Sequence, residues 1–247
     1  MVAQAITSLQ HPAVKEAVLL RKERSFRRAK GRVVIAGRKL VREVAALFPL
    51  LTLFAQRGAE EKLSAAQTYL VTEQILKKIT GLPHPEPLAA IAPLPETGDL
   101  RGKRFLLALD GISDPGNLGT LMRTAHALGW EGAFLLPKTA DPFNDKALRS
   151  AKGATFRLPI AEGSWEQLDQ TIADNQLTPW LADVEGPPLS VLEALPPLLL
   201  VLGNEAGGAS SEARRRCRAV SIPMAPGAES LNVASAGSIL MYALKRR

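Results

Sequence analysis

Residues 198–208 read Leu198-Leu199-Leu200-Val201-Leu202-Gly203-Asn204-Glu205-Ala206-Gly207-Gly208. Five successive apolar residues without polar alternation describe a strand covered on both faces, as in a parallel sheet. Gly203 and the Gly207-Gly208 pair then permit positive φ and close approach of backbone to a ligand. Neither GxGxxG nor a Walker sequence is present, which argues against a dinucleotide or P-loop site. Open α/β sheets bind their ligands at junctions of this kind, outside the carboxyl ends of the strands.

Two more junctions follow the same plan. Upstream, the apolar run Phe105–Leu109 passes through Asp110-Gly111-Ile112-Ser113-Asp114-Pro115-Gly116 into a helix expected over 117–129. Asn117 is a preferred N-cap there, and the free N–H groups behind a cap suit an anion. Six residues separate Asn117 from Arg123, so the two share a helix face only if Asn117 precedes the helix. Downstream, a strand expected over 220–223 is halted by Pro226 and Gly227, and Ser230-Leu231-Asn232 opens a helix over 231–245. A Ser230 cap accounts for that start. It does not account for Ala234, Ser235, Ala236, Gly237 and Ser238, whose small side chains let backbones pack closely.

Around these junctions, runs at 132–136, 155–160 and 179–183 complete an expected parallel sheet, with helices near 145–152 and 165–175. The N-terminal part reads as a smaller α/β unit. One or two helices are expected over 8–29 and a strand at Val33–Ile35. Gly37 and a helix over 38–47 follow, then strands at 50–54, 69–71 and 88–92, with helices after the first two of these. Pro83, Pro85, Pro87, Pro93 and Pro95 exclude a helix between the halves. The expected organisation is a small domain over 1–95, a linker over 96–103 and a large α/β domain over 104–247.

The chain of 247 residues is long enough for two such cores. No apolar run has the length of a membrane span, because Glu193 and Pro196-Pro197 interrupt the longest. No basic start followed by an apolar stretch marks a secretory signal, so a cytoplasmic location is expected. Cys217 is the only cysteine, and His11, His84 and His126 lack ligand spacing, so no metal site is expected.

Charge is uneven. Residues 1–100 hold 15 Lys and Arg against 9 Asp and Glu, whereas 101–247 hold 16 against 15. Within Lys15–Arg42 there are 11 basic residues and two acids, Glu16 and Glu23. A solvated helical face is one reading. The other is phosphate-backbone binding, in which each neutralised phosphate releases counterions. Arg21, Lys22, Arg24, Arg27, Arg28, Lys30, Arg38 and Lys39 are the candidate contacts to RNA or DNA.

The order and content of the three blocks, Asn117–Ala125, Leu202–Gly208 and Ser230–Gly237, closely resemble the SpoU, or TrmH-like, branch of the SPOUT methyltransferases. The resemblance covers about residues 105–245. The stretch Val33-Val34-Ile35-Ala36-Gly37-Arg38-Lys39-Leu40-Val41-Arg42-Glu43 is similar to the small substrate-binding domain that often precedes that catalytic domain. Ala36 stands where many relatives carry an acid, and Ala209 where many carry a bulky residue.

The resemblance implies S-adenosylmethionine as cofactor and methylation of a ribose 2′-hydroxyl in structured RNA, ribosomal RNA ahead of transfer RNA. It implies a deep trefoil knot and a homodimer with the site near the subunit interface. Asn117, Arg123, Glu205, Ser230 and Asn232 take the catalytic positions. Leu202, Gly203, Gly208, Ile222, Met224 and Leu231 take the cofactor positions. Arg123 would contact the target phosphate and the reacting hydroxyl; a guanidinium is a poor general base, so positioning and stabilisation of the alkoxide are the expected role. An RNA-binding protein without turnover and a nucleotide-dependent oxidoreductase are the alternatives, the second opposed by the missing dinucleotide fingerprint.

Overall fold

The computed structural model describes residues 3–191 and 196–245. It divides into two compact units, one of residues 1–96 with 143–148 and the other of 97–142 with 149–247.

In the first unit, β1 (Gln4–Ile6), β2 (Arg32–Ala36), β3 (Leu50–Gln56), β4 (Ala65–Val71) and β5 (Leu88–Pro93) form one sheet. Their order is β1-β4-β3-β5-β2. β4 is parallel to β1 and β3, and β5 is antiparallel to β3 and β2. Helices α1 (Pro12–Lys22), α2 (Arg24–Lys30), α3 (Arg38–Ala45) and α4 (Glu73–Thr80) accompany it. Val14, Ala17 and Leu20 of α1 join Ile75, Leu76 and Ile79 of α4 in a core over Phe54 and Ile91. Glu23, in extended conformation at φ −115°, breaks the expected 8–29 segment into α1 and α2. The helix expected after β3 is absent: residues 57–64 are irregular. Gly58 there has φ +83°, which a helix does not accommodate.

The second unit contains β6 (Phe105–Asp110), β7 (Gly132–Leu135), β8 (Ile160–Glu162), β9 (Thr178–Ala182), β10 (Leu198–Gly203) and β11 (Arg218–Val220). All neighbours are parallel, in the order β11-β9-β10-β6-β7-β8. The helices are α5 (Pro115–Ala127), α6 (Asp145–Ala151), α7 (Trp165–Asn175), α8 (Ser211–Arg216) and α9 (Val233–Lys245), with α6 cut by the unit boundary. Leu198–Leu202 and Leu106–Leu109 are fully buried, as the unbroken apolar runs require. Residues 97–103, read as a linker, belong to this unit. Leu100 is buried with Leu106 and Phe134, and the Gly98 N–H donates to Ile160 O at 2.7 Å.

Three element starts differ from expectation near the junctions. Asp114, not Asn117, caps α5: its carboxylate accepts the Asn117 N–H at 2.9 Å, and Pro115 occupies the first turn. Asn232, not Ser230, caps α9, accepting from the N–H groups of Ala234 and Ser235 at 2.9 and 3.3 Å. The last strand is 218–220, because Ser221 is taken by the 187–189 segment, donating to Pro187 O and accepting from Leu189 N–H.

The strand expected at 155–160 is a 3-10 turn, Ala154–Phe156, with β8 starting only after Pro159. Helix α8, capped by Ser210, and strand β1 have no counterpart in the sequence reading.

Candidate functional site

The loops after β6, β9, β10 and β11 enclose a cavity of about 670 Å³ at the carboxyl ends of the strands. That lies within the roughly 300–1,000 Å³ typical of small-molecule sites. Leu202, Val220, Ile222, Met224 and Leu240 supply an apolar wall. Asp183, Glu205 and Glu229 supply acids, and Arg214 a base.

Glu205 organises the front of the cavity. One carboxylate oxygen accepts the backbone N–H and the hydroxyl of Ser113, both at 3.1 Å. The other accepts the Asp114 N–H at 3.2 Å and the Asn117 side-chain amide at 3.1 Å. Asn117 in turn accepts the Asn232 amide at 3.2 Å. One chain of hydrogen bonds therefore ties the β10 loop, the start of α5 and the start of α9. Burial pushes the Glu205 carboxyl up; hydrogen bonds from Asn117, its own backbone, Ser113 and Asp114 outweigh that and hold it below the usual carboxylate range. A carboxylate has about four lone-pair positions, and these donors fill them. Glu205 is thus a fixed negative charge and a poor proton acceptor.

Asn204 fastens the same loop from inside. Its amide donates to Gly111 O at 2.7 Å, and its oxygen accepts the N–H groups of Ala206 and Gly207 at 3.0 and 2.9 Å. At Gly203 an added Cβ would lie 2.6 Å from Gly208 O and 2.8 Å from Ala209 Cα, so only glycine lets the loop fold back onto its strand. Gly208 itself has φ +67°. Gly237 gives the small-residue run of α9 its reason: a Cβ there would meet Leu202 and Leu121 at 2.5 and 2.6 Å. The helix lies close on β10 and α5, with Thr124 and Ser238 hydroxyls 3.2 Å apart.

Of the eleven residues assigned to the catalytic and cofactor positions, ten line this cavity, among them Asn117, Ser230, Leu231, Asn232 and Gly208. Arg123 does not. It is exposed on α5, and with Asn117 inside the first turn the two side chains project about 120° apart at 100° per residue.

In the first unit, Lys22, Arg24, Arg28, Lys30 and Lys39 are exposed. Arg27 is a correction to the RNA set: it is 3% exposed and donates to the carbonyls of Leu20 and Arg21 at 2.6 and 3.0 Å. Arg21 donates to Ile79 O at 2.9 Å, and Arg38 pairs with Glu61 at 2.7 Å. Among the described residues, no cluster of His, Cys, Asp or Glu is arranged to hold a metal, and no helix is long and apolar enough to cross a membrane.

The sequence reading missed Asn204, Asp183 and Arg214. Asn204 stood inside the quoted block; the other two lack any motif and meet only in three dimensions.

The SpoU rRNA Methylase family matches residues 104–242, the segment that builds this cavity. The chain belongs to that family. It is 34% identical over 181 residues to 23S rRNA (guanosine(2553)-2′-O)-methyltransferase RlmP of Bacillus subtilis, covering 72% of this chain and 73% of the relative. The crystal structure of AdoMet-bound rRNA methyltransferase from Sinorhizobium meliloti superimposes with a TM-score of 0.86 at 26% identity, over 99% of this chain and 98% of that one. The SpoU methyltransferase AviRb from Streptomyces viridochromogenes, in complex with AdoMet, gives 0.86 at 25% identity over 96% and 98%. As a SpoU protein, the chain has the α/β fold with the parallel sheet of its relatives.

Proposed function

We propose that this SpoU protein transfers a methyl group from S-adenosylmethionine to a ribose 2′-hydroxyl of structured RNA, with ribosomal RNA as substrate. The observation that carries the reading is the Glu205–Asn117–Asn232 hydrogen-bond chain closing three loops over one cavity. The cavity's chemistry fits the cofactor: an apolar wall for an adenine ring, and acids for a molecule with a cationic centre. Leu202, Gly203, Gly208, Ile222, Met224 and Leu231 would hold it. When bound, S-adenosylmethionine supplies an electrophilic methyl on a sulfonium.

The protein's own part is positioning and electrostatics. Glu205 holds a fixed negative charge beside the cavity and, being saturated with donors, leaves the hydroxyl proton to water or a phosphate. Ser230 and Asn232 border the space where the ribose would enter. Arg123, which lies outside the cavity of its own chain, would serve the target nucleotide's phosphate and the developing alkoxide at the cavity of the partner copy in the homodimer. The exposed basic residues of α1, α2 and α3 grip the RNA backbone.

The same reading includes a homodimer, a knotted C-terminal segment and a cytoplasmic location. Ile239 and Tyr242, each 46% exposed on one face of α9, support the dimer. The parallel order of β9, β10 and β6 with α9 lying on β10 supports the knot.

The test is transfer of tritiated methyl from S-adenosylmethionine to bulk ribosomal and transfer RNA, with digestion to locate 2′-O-methyl nucleosides. Label on ribosomal RNA that vanishes in Arg123→Ala is the expected result. An Arg123→Lys variant with wild-type turnover would remove the special role of the guanidinium. Cofactor binding without label on either RNA would overturn the substrate assignment.

A further inference from the structure

Asp183 closes β9 at the cavity, one strand over from the Gly203 loop. Its side chain is only 4% exposed, an expensive place for a carboxylate without partners. Arg214 of α8 meets one of its oxygens at 2.7 Å, and the Glu185 N–H donates to the other at 3.1 Å. The same guanidinium reaches Glu185 at 3.0 Å. The backbone is fixed as well: the Asp183 N–H donates to Val220 O, and its carbonyl accepts from Gly186, each at 3.0 Å.

Two of the four lone-pair positions of the Asp183 carboxylate are used, which leaves two for a ligand. Arg214 shares its charge between Asp183 and Glu185, so Asp183 offers the cavity a partly compensated carboxylate with acceptor positions. A rigid carboxylate at the end of a parallel strand, with two open acceptor positions, is matched by a neutral pair of adjacent donors. Acids placed this way on α/β sheets take the hydroxyls of a nucleoside ribose.

We infer that Asp183, clamped by Arg214, is a specificity-determining residue of the cavity that accepts hydrogen bonds from the ribose diol of the bound nucleoside. The inference rests on the cofactor reading above and adds which part of the cofactor is recognised by a side chain. The Asp183–Arg214 pair sets the position of the 183–186 turn, so the acceptors are in place before the ligand arrives.

The experiment is calorimetric titration of the full chain with S-adenosylhomocysteine and with its 2′-deoxy and 3′-deoxy forms. Wild type binds the deoxy forms about tenfold or more weakly, as for hydrogen bonds to a charged acceptor. Asp183→Ala binds all three with one reduced affinity. Arg214→Gln weakens all three but keeps the preference for the diol, because the carboxylate remains. Asp183→Asn, which retains an acceptor for the Glu185 N–H, gives an intermediate preference and guards against loss of the turn in the alanine variant. Binding by wild type with no preference for the diol, or a preference that survives in both Asp183 variants, overturns the inference alone. Failure of wild type to bind any of the three overturns the cofactor reading and this inference together.

Discussion

The side-chain amide of Asn232 donates to the side-chain oxygen of Asn117 at 3.2 Å, joining residues 115 positions apart. Asn117 is free to accept there because its own amide hydrogens point to Glu205. Each member of this chain therefore depends on the orientation of the next. Asn117→Asp keeps the oxygen for Asn232 but places a like charge against Glu205. We expect it to lose methyl transfer by about two orders of magnitude while the fold survives, and Asn117→Ala to lose at least as much. Single-turnover assays beside circular dichroism would check this; near wild-type turnover in Asn117→Asp would refute it.

Acid should loosen the same loop. The folded protein holds the Glu205 carboxyl below the usual range, so Glu205 contributes stability that is present above its unfolded value and lost as pH falls through the folded one. Melting curves from neutral pH to roughly pH 3 should therefore fall more steeply for wild type than for Glu205→Gln. Parallel curves would show that the carboxylate is not linked to folding.

Two glycines give a graded test of the cavity wall. An added Cβ at Gly203 meets backbone atoms, which cannot give way, whereas at Gly237 it meets the ends of Leu202 and Leu121. Gly203→Ala is expected to cost about 2–3 kcal/mol and cofactor affinity, and Gly237→Ala about 1–2 kcal/mol. Denaturant unfolding of both variants gives the order; the reverse order would contradict the close fold-back of the Gly203–Ala209 loop.

The lone thiol should be inert. Burial, with Asp169 nearby, pushes Cys217 up to about 12. Thiolate is the reactive form, so labelling by a disulfide reagent near pH 8 should be slow in the native protein and fast once it is unfolded. Rapid native labelling would place Cys217 in a more polar setting than the one described.

Within the basic helices, one arginine should behave unlike the rest. Arg27 holds the α1–α2 corner through the carbonyls of Leu20 and Arg21, and its removal is expected to destabilise the protein by about 2 kcal/mol or more. Lys22→Ala and Lys30→Ala should leave stability within about 0.5 kcal/mol. They should instead weaken RNA binding and flatten its salt dependence by about one unit of slope per lost phosphate contact. Salt titrations of RNA affinity separate the two cases.

The contrast between Arg27 and its neighbours also marks how far the sequence could be read. A count of Lys and Arg is blind to burial, so a guanidinium that caps carbonyls looks like one that faces solvent. Runs such as Leu198–Leu202 and Phe105–Leu109 were legible because burial on both faces leaves no polar positions. Helix α8 was not, since only Ala213 of its six residues is buried and nothing periodic betrays it. Asn117 and Asn232 were legible as candidates, and both line the cavity, but their roles at the helix starts were exchanged with Asp114 and Ser230. All three residue types can cap, and only the hydrogen bonds decide among them. Asp183 and Arg214 lay beyond reach, because their meaning comes from a contact between β9 and α8.

The position of α9 has a consequence for how the protein is made. Leu240 and Ala236 line the cavity, and Asn232 completes the hydrogen-bond chain that reaches Glu205. During synthesis, the strands of the sheet and the first two loops are made before these residues. A nascent chain therefore has the strands of the site but no closed cavity, and competence for ligand arrives only when the segment beyond Asn232 has left the ribosome and settled against α5.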